Sequence, residues 1–232
     1  MVVTLPIIEI APCSHEAAKH AVLNWHYSKA MPSGKLIKFG VWENKKFIGA
    51  VIYGRGATPN LGKPYDLEQT EICELVRVAL DKHETNVTKM IAETIKKLKL
   101  SNPGLRLIVS FADPNQGHTG QIYKAGNWLY TGKSESAKFY KVKGKVIHPR
   151  TAYSLGKNSL DWLIQNIDPN AEAVYKVGKL RFLYPLDKAM ARKLNKLALD
   201  YSSAVEGLEA SCGDSVAEVQ VQSLPTAPKV TT

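Results

Sequence analysis

Two short stretches of the chain carry side chains able to move a proton. Asp113 ends a nearly unbroken apolar run, Leu105 to Ala112, and opens the polar, glycine-rich crossing Asn115-Gln116-Gly117-His118-Thr119-Gly120. His26 and Tyr27 follow a helical segment and precede the breaker-rich loop Lys29 to Lys35. A carboxylate can orient or deprotonate an amine, and an imidazole or phenol can take or give a proton within hydrogen-bond reach. Spacing alone leaves both positions open. Asp113 could equally cap an Asx turn, and Trp25 and Tyr27 could be core aromatics beside a satisfied His26.

The apolar run reads as a strand buried on both faces, stopped by Pro114. A short helix from Gln121 to Ala125 closes at Gly126, and a further strand carries Trp128 and Tyr130. Open α/β sheets place ligands at the carboxyl end of such a strand. Upstream, Ser14 caps a helix over His15 to Trp25. Leu36–Trp42 and Lys46–Tyr53 form a hairpin through Glu43-Asn44-Lys45. Thr70–Leu80 is a long strand, whose alternation puts Glu74 and Arg77 on opposite faces. The helix Val87–Leu100 offers amides at its N-terminus, around Thr85 and Asn86, to an anion such as pyrophosphate.

The chain has 232 residues, 44% of them apolar, and a net charge of +10. Residues 1–200 hold 30 basic against 17 acidic side chains, a body of +13 that suits nucleic acid. Basic residues from Lys133 to Arg150, among them Lys141, Lys143 and Lys145, interleave with aromatics. Lys29, Lys35 and Arg55 flank the expected pocket, and Asn115, Gln116 and His118 line its polar loop; all are candidate DNA contacts. A solvated face explains the charges as well. Cys13, Cys73 and Cys212 show neither metal nor disulfide spacing and fit a reducing cytoplasm, with Cys73 read as a buried thiol. No apolar run reaches membrane-spanning length, and no signal peptide is evident. Residues 133–200 are expected as a basic extension packed on a core of residues 1–132, followed by a disordered tail over 201–232.

The order of elements from Ile7 to Tyr130 resembles the GNAT fold, an α/β class with a mixed, splayed central sheet flanked by helices. The segments WHYSKAMPSGK, KFGVWENKKFIGAVIYGRG, CELVRVAL, SFADPNQGHTGQIYKAGNWLYTG and LRFLYPLD resemble the Mom family of bacteriophage DNA-modification proteins. That resemblance covers roughly residues 20–200, with SFADPNQGHTGQIY and WHYS its most specific parts. It implies an enzyme that places a carbamoylmethyl group on adenine N6 of double-stranded phage DNA, in the host cytoplasm, and so blocks restriction. It implies His26, Tyr27, Asp113 and Tyr123 as catalytic residues, with Tyr123 an acid toward the leaving group. It further implies Val76, Arg77 and Val78 as a strand holding the donor's pantetheine arm, and a bound iron, which His26, Tyr27 and Asp113 would ligate if they converge. The donor stays open between acetyl-CoA and another acyl or aminoacyl group. The segment His83 to Lys89 lacks the glycines of the usual pyrophosphate turn, and a glycyl donor such as an aminoacyl-tRNA would supply both carbons and the nitrogen. Reaching N6 requires flipping the base, with Tyr27 or Trp128 stacking on it. An acetyl-CoA-dependent transferase for a small-molecule or protein amine, and a non-catalytic DNA-binding protein, are the competing readings.

Overall fold

The computed structural model describes residues 6–56 and 58–204; most of the expected disordered tail, with Cys212, lies outside the described residues. Residues 200–204 belong to a second unit, in which Asp200 accepts hydrogen bonds from the Ser202 amide and the Ser203 hydroxyl.

In chain order the first unit runs β1 (Ile8–Pro12), α1 (His15–Trp25), β2 (Leu36–Glu43), β3 (Lys46–Gly54), β4 (Ile72–Leu80), α2 (Val87–Ser101), β5 (Leu107–Ala112), α3 (Gln121–Ala125) and β6 (Leu129–Lys133). It continues with β7 (Ala137–Val142), β8 (Lys145–Ile147), α4 (Pro149–Leu155), α5 (Leu160–Asn166), β9 (Glu172–Lys176), β10 (Leu180–Pro185) and α6 (Lys188–Asn195). Seven strands form one sheet in the order β1-β2-β3-β4-β5-β10-β6, and β8-β7-β9 form a second. In the large sheet only β4 and β5 are parallel neighbours. This is the mixed α/β class expected from the sequence.

Helices cover both faces of the large sheet. Ser14 Oγ accepts from the Ala17 amide and starts α1, whose Ala18, Ala21 and Val22 pack on Ala50, Ile52 and Ala79. Small side chains on α1 let its axis approach the sheet closely. The next residue along β3, Tyr53, points the other way and bonds Thr94 of α2 at 2.7 Å. Helix α2 buries Met90, Ile91, Ile95 and Leu98 on that face, each contributing roughly 1.5–3 kcal/mol.

The parallel pair opens partway. β4 pairs with β5 from Ile72↔Leu107 to Leu75↔Ser110 and no further, while β5 stays paired with β10 along its length. The cause lies on the other edge of β4. Ile52 faces Arg77 and Tyr53 faces Leu75, so Val76 is an extra residue, a β-bulge. A bulge bends its strand and sharpens its twist, which carries β4 away from β5. The Val76 carbonyl accepts instead from Arg77 Nη1 at 2.7 Å. The bulge also resets the alternation, so Glu74 and Arg77, expected on opposite faces, line one cavity.

Residues 133–200 divide between the two sheets. β7, β8 and β9 with α4 and α5 close a small core of Tyr140, Val142, Ala152, Leu163 and Ala171. β10, by contrast, enters the large sheet between β5 and β6, and its fully buried Leu180, Phe182 and Leu183 belong to the core. The expected boundary at residue 132 therefore does not separate core from extension, because the strand that completes the sheet comes from beyond it.

Candidate active site

Two cavities meet at the opening between β4 and β5, and Tyr123, His118, Ile122, Phe111 and Val78 line both. The smaller, about 140 Å3, is walled by His26, Tyr27, Glu74, Val76, Arg77 and Lys179. The larger, about 400 Å3, runs past Leu80, His83 and Val87 toward the start of α2. The strand Val76–Val78, expected to hold the donor, thus lies where β4 has left its partner.

His26 and Tyr27 sit just past the end of α1, over the opening. His26 is buried, and its Nδ1 accepts from the Ser28 amide at 3.1 Å, with Ser28 Oγ at 2.8 Å. Burial first, then the charges of Arg77, His118 and Lys29, hold its pKa down to about 4. Tyr27 is 46% exposed and lies between the rings of His26 at 4.3 Å and His118 at 4.9 Å. Burial of its phenol and the nearby Asp113 carboxylate raise its pKa. Tyr27 is therefore no core residue; half-exposed, its ring stands at the cavity mouth. Trp128, the alternative stacking residue, is 4% exposed and packed against Tyr123 and Tyr184, so it cannot stack on a base.

Tyr123 is buried on α3, with Phe182 beneath it. Its Oη lies 2.8 Å from Ser110 Oγ, which lies 2.9 Å from the Leu75 carbonyl oxygen. The serine has one proton and two acceptors in reach, Tyr123 Oη and Leu75 O; donated to Tyr123, it leaves the phenol's own O–H free for the cavity. Burial pushes the phenol up to about 12, and it keeps its proton at neutral pH. This relay spans the last β4–β5 pair. Gly120, at φ 88°, holds the turn into α3; a Cβ there would stand 2.4 Å from the Phe182 ring.

Asp113 lines neither cavity, reaches the wall of the smaller through Lys179, and is partly committed. Its Oδ1 accepts from the Asn115 amide at 3.1 Å and from Asn115 Nδ2 at 2.9 Å. Its Oδ2 lies 3.8 Å from Lys179 Nζ. The turn-capping reading holds for one oxygen, and the other faces a cation on the cavity wall. Asn115, a candidate DNA contact, is spent on the fold: it bonds Val177 O at 2.9 Å and accepts from Val177 N at 3.2 Å.

The amides expected to cradle a pyrophosphate are partly taken. The buried Glu43 carboxylate accepts from the Glu84 amide at 3.0 Å and the Thr85 amide at 2.8 Å. Bonding from Thr85 and these amides holds the Glu43 pKa below the usual carboxylate range. Glu43 thus places a resident anion on two of the amides that precede α2. The iron expectation gains no support. Among the described residues no three His, Cys, Asp or Glu side chains converge on one point, His26 Nδ1 is held by Ser28, and Asp113 Oδ1 by Asn115.

The candidate DNA contacts are scattered. His118 and Gln116 are exposed on the loop at the opening. Lys29 Nζ bonds Asn24 O, closing α1. Lys35 and Arg55 line a separate cavity of about 320 Å3 with Tyr53, Cys73 and Asn102. On the small sheet Lys141 pairs with Glu172 at 2.8 Å, while Lys143 and Lys145 are exposed at the hairpin. Cys73 is buried, as expected, and burial pushes its thiol up to about 12. No described helix is long and apolar enough to cross a membrane.

Sequence reasoning missed Ser28, Ser110, Glu43 and Lys179. Ser110 left a signal: a lone hydroxyl inside a strand buried on both faces must find a partner. The other three meet their partners only through tertiary packing or the local loop turn.

The family model of the Mom protein family matches residues 7–203. The methylcarbamoylase Mom of Escherichia phage Mu is 25% identical over 182 residues, spanning 77% of this chain and 75% of that protein. Among solved structures, a Bacillus subtilis acetyltransferase in complex with CoA matches 79% of this chain and 100% of its own, at 11% identity and TM-score 0.44. FeeM, an N-acyl amino acid synthase from uncultured soil microbes, matches 79% and 92%, at 10% identity and TM-score 0.46. An N-acetyltransferase from Staphylococcus aureus matches 78% and 98%, at 14% identity and TM-score 0.42.

Proposed function

The chain belongs to the Mom protein family, and from that premise we propose that it modifies adenine N6 in double-stranded phage DNA with a carbamoylmethyl group, in the host cytoplasm, shielding the DNA from restriction. The observation that carries the reading is the convergence of His26, Tyr27, Arg77, His118 and Tyr123 on one cavity at the opening of the sheet. Tyr27 presents an aromatic face to a flipped base, Asp113 and Lys179 orient the amine, and Tyr123 supplies a proton to the leaving group through a side chain still protonated at neutral pH. The basic small sheet tracks phosphates.

The donor is of the acyl class, and we assign it to a glycyl ester such as aminoacyl-tRNA rather than CoA, because the turn before α2 lacks glycine and Glu43 already holds two of its amides. A glycyl and a carbamoylmethyl group contain the same atoms. Attack of N6 on the ester carbonyl releases the alcohol and leaves N6-glycyladenine. Migration of ring carbon C6 from the amide nitrogen to the glycyl amine then gives the carbamoylmethyl product, with no oxidant or reductant.

Mass spectrometry of nucleosides from DNA of cells expressing the chain tests the function. The expected species is deoxyadenosine heavier by one glycine residue, with nitrogen from labelled glycine attached to the ring. Unmodified DNA from cells holding folded protein would leave the DNA-binding reading standing in its place.

A further inference from the structure

The mechanism above gives work to Tyr123, Asp113 and Tyr27 but none to two donors in the same cavity. We propose that His26 Nε2–H and Arg77 Nε–H together bind an oxygen of the group being transferred, so that His26 is a hydrogen-bond donor and not a base.

Ser28 decides the tautomer. Its backbone N–H can only donate, and it donates to His26 Nδ1 at 3.1 Å. Nδ1 therefore carries the lone pair, and in the neutral ring the proton resides on Nε2. Ser28 Oγ at 2.8 Å is placed to donate to the same nitrogen. The ring is neutral for a reason visible in its surroundings: it is buried, with Arg77 on β4, His118 on the loop and Lys29 on its own segment contributing positive charge. Of the carboxylates at the opening, Asp113 is engaged by Asn115 and Lys179, and Glu74 lines the same cavity from β4.

Arg77 supplies the second donor. Its Nη1 is spent on the Val76 carbonyl at 2.7 Å and its Nη2 lies 3.5 Å from Ala30 O. Its Nε is buried and has no hydrogen-bond partner among the described residues. A buried donor left without an acceptor is costly, and the cavity it shares with His26 is where an acceptor can arrive. Two fixed N–H groups on the wall of one cavity match the charge that builds on a carbonyl oxygen when an amine attacks it.

The chemistry rests on the proposed function; the tautomer does not, and the test separates them. Two-bond nitrogen–proton spectra of the full chain carrying 15N-histidine, assigned with His26→Gln, should show Nε2 protonated and Nδ1 bare at neutral pH. A protonated Nδ1, or a doubly protonated ring, overturns the proposal whether or not DNA is modified. In the DNA-modification assay, His26→Gln places an amide near Nε2 and should stay within about tenfold of wild type. His26→Asn places it near Nδ1 and should fall by ~10²–10³. Arg77→Lys keeps the charge but removes the Nε–H and should fall comparably. Equal loss in the Gln and Asn variants, or a wild-type rate in Arg77→Lys, overturns the assignment.

Discussion

The two halves of the β4–β5 pair differ in what their polar groups do. From Ile72 to Leu75 the strands are zipped, and Ile72, Leu107, Ile108 and Val109 there are buried and apolar, with Glu74 the one charge, turned to the cavity wall. Beyond Leu75 the same strand carries Arg77 with a buried nitrogen lacking a partner among the described residues, and cavities replace neighbours. One residue, Val76, separates these regimes. The lesson is that function lies where the sheet stops satisfying itself, and that an extra residue suffices to stop it.

Substitutions should therefore divide cleanly across that boundary. On the open side, Tyr123→Phe should lower DNA modification by ~10²–10⁴, while the melting temperature stays near wild type because Ser110 then donates to Leu75. On the packed side, Ile108→Ala should cost about 2–5 kcal/mol in a denaturant titration, with lost activity following lost fold. If Tyr123→Phe unfolds the protein instead, the two halves are one structural unit and the comparison breaks.

A smaller effect sharpens the contrast at the start of α2. Glu43 has a depressed pKa in the folded chain, so its stabilisation is present above the unfolded carboxylate value, about 4.3, and is lost as pH falls through the lower folded value. Glu43→Gln should be less stable than wild type at neutral pH, and the gap should close in acid. A gap that persists at low pH would assign Glu43 to packing alone. The smallest effect belongs to the small sheet. Reversing Lys143 and Lys145 should flatten the salt dependence of DNA binding by about 0.9 for each phosphate no longer neutralised. Reversing Lys141, already paired with Glu172, should do less. An unchanged slope would move the DNA surface to the loop carrying Gln116 and His118.

What the sequence made legible was local. Ser14 announced the start of α1, and Asn44-Lys45, both at positive φ, made the expected hairpin turn. The apolar run before Asp113 and the breakers after it placed the loop correctly. The carboxylate's commitment to Asn115 is the Asx turn that spacing alone left open. The bulge at Val76 was hidden, because alternation is read from one strand while a bulge is defined by two. β9 was also hidden, being five residues long and partnered only by β7. Trp128 looked available because its type suits stacking; its burial comes from Tyr184, far along the chain. Of the four residues carried over by resemblance, His26, Tyr27 and Tyr123 line the opening and Asp113 reaches its wall through Lys179. Of the groups that tune them, Ser28 and Ser110 sit inside the matched stretches with nothing in their type to announce the role, and Lys179 lies outside them.

The place of β10 has a consequence for how the protein is made. The loop from Asp113 to Tyr123 rests on Phe182 and is tied to Val177 and Lys179, all synthesised more than fifty residues after it. While the chain is still emerging from the ribosome, β5 and β6 have no strand between them and Tyr123 has no floor. The centre that would alter DNA is thus assembled last, and no nascent or truncated chain ending before Leu180 can hold it in working order.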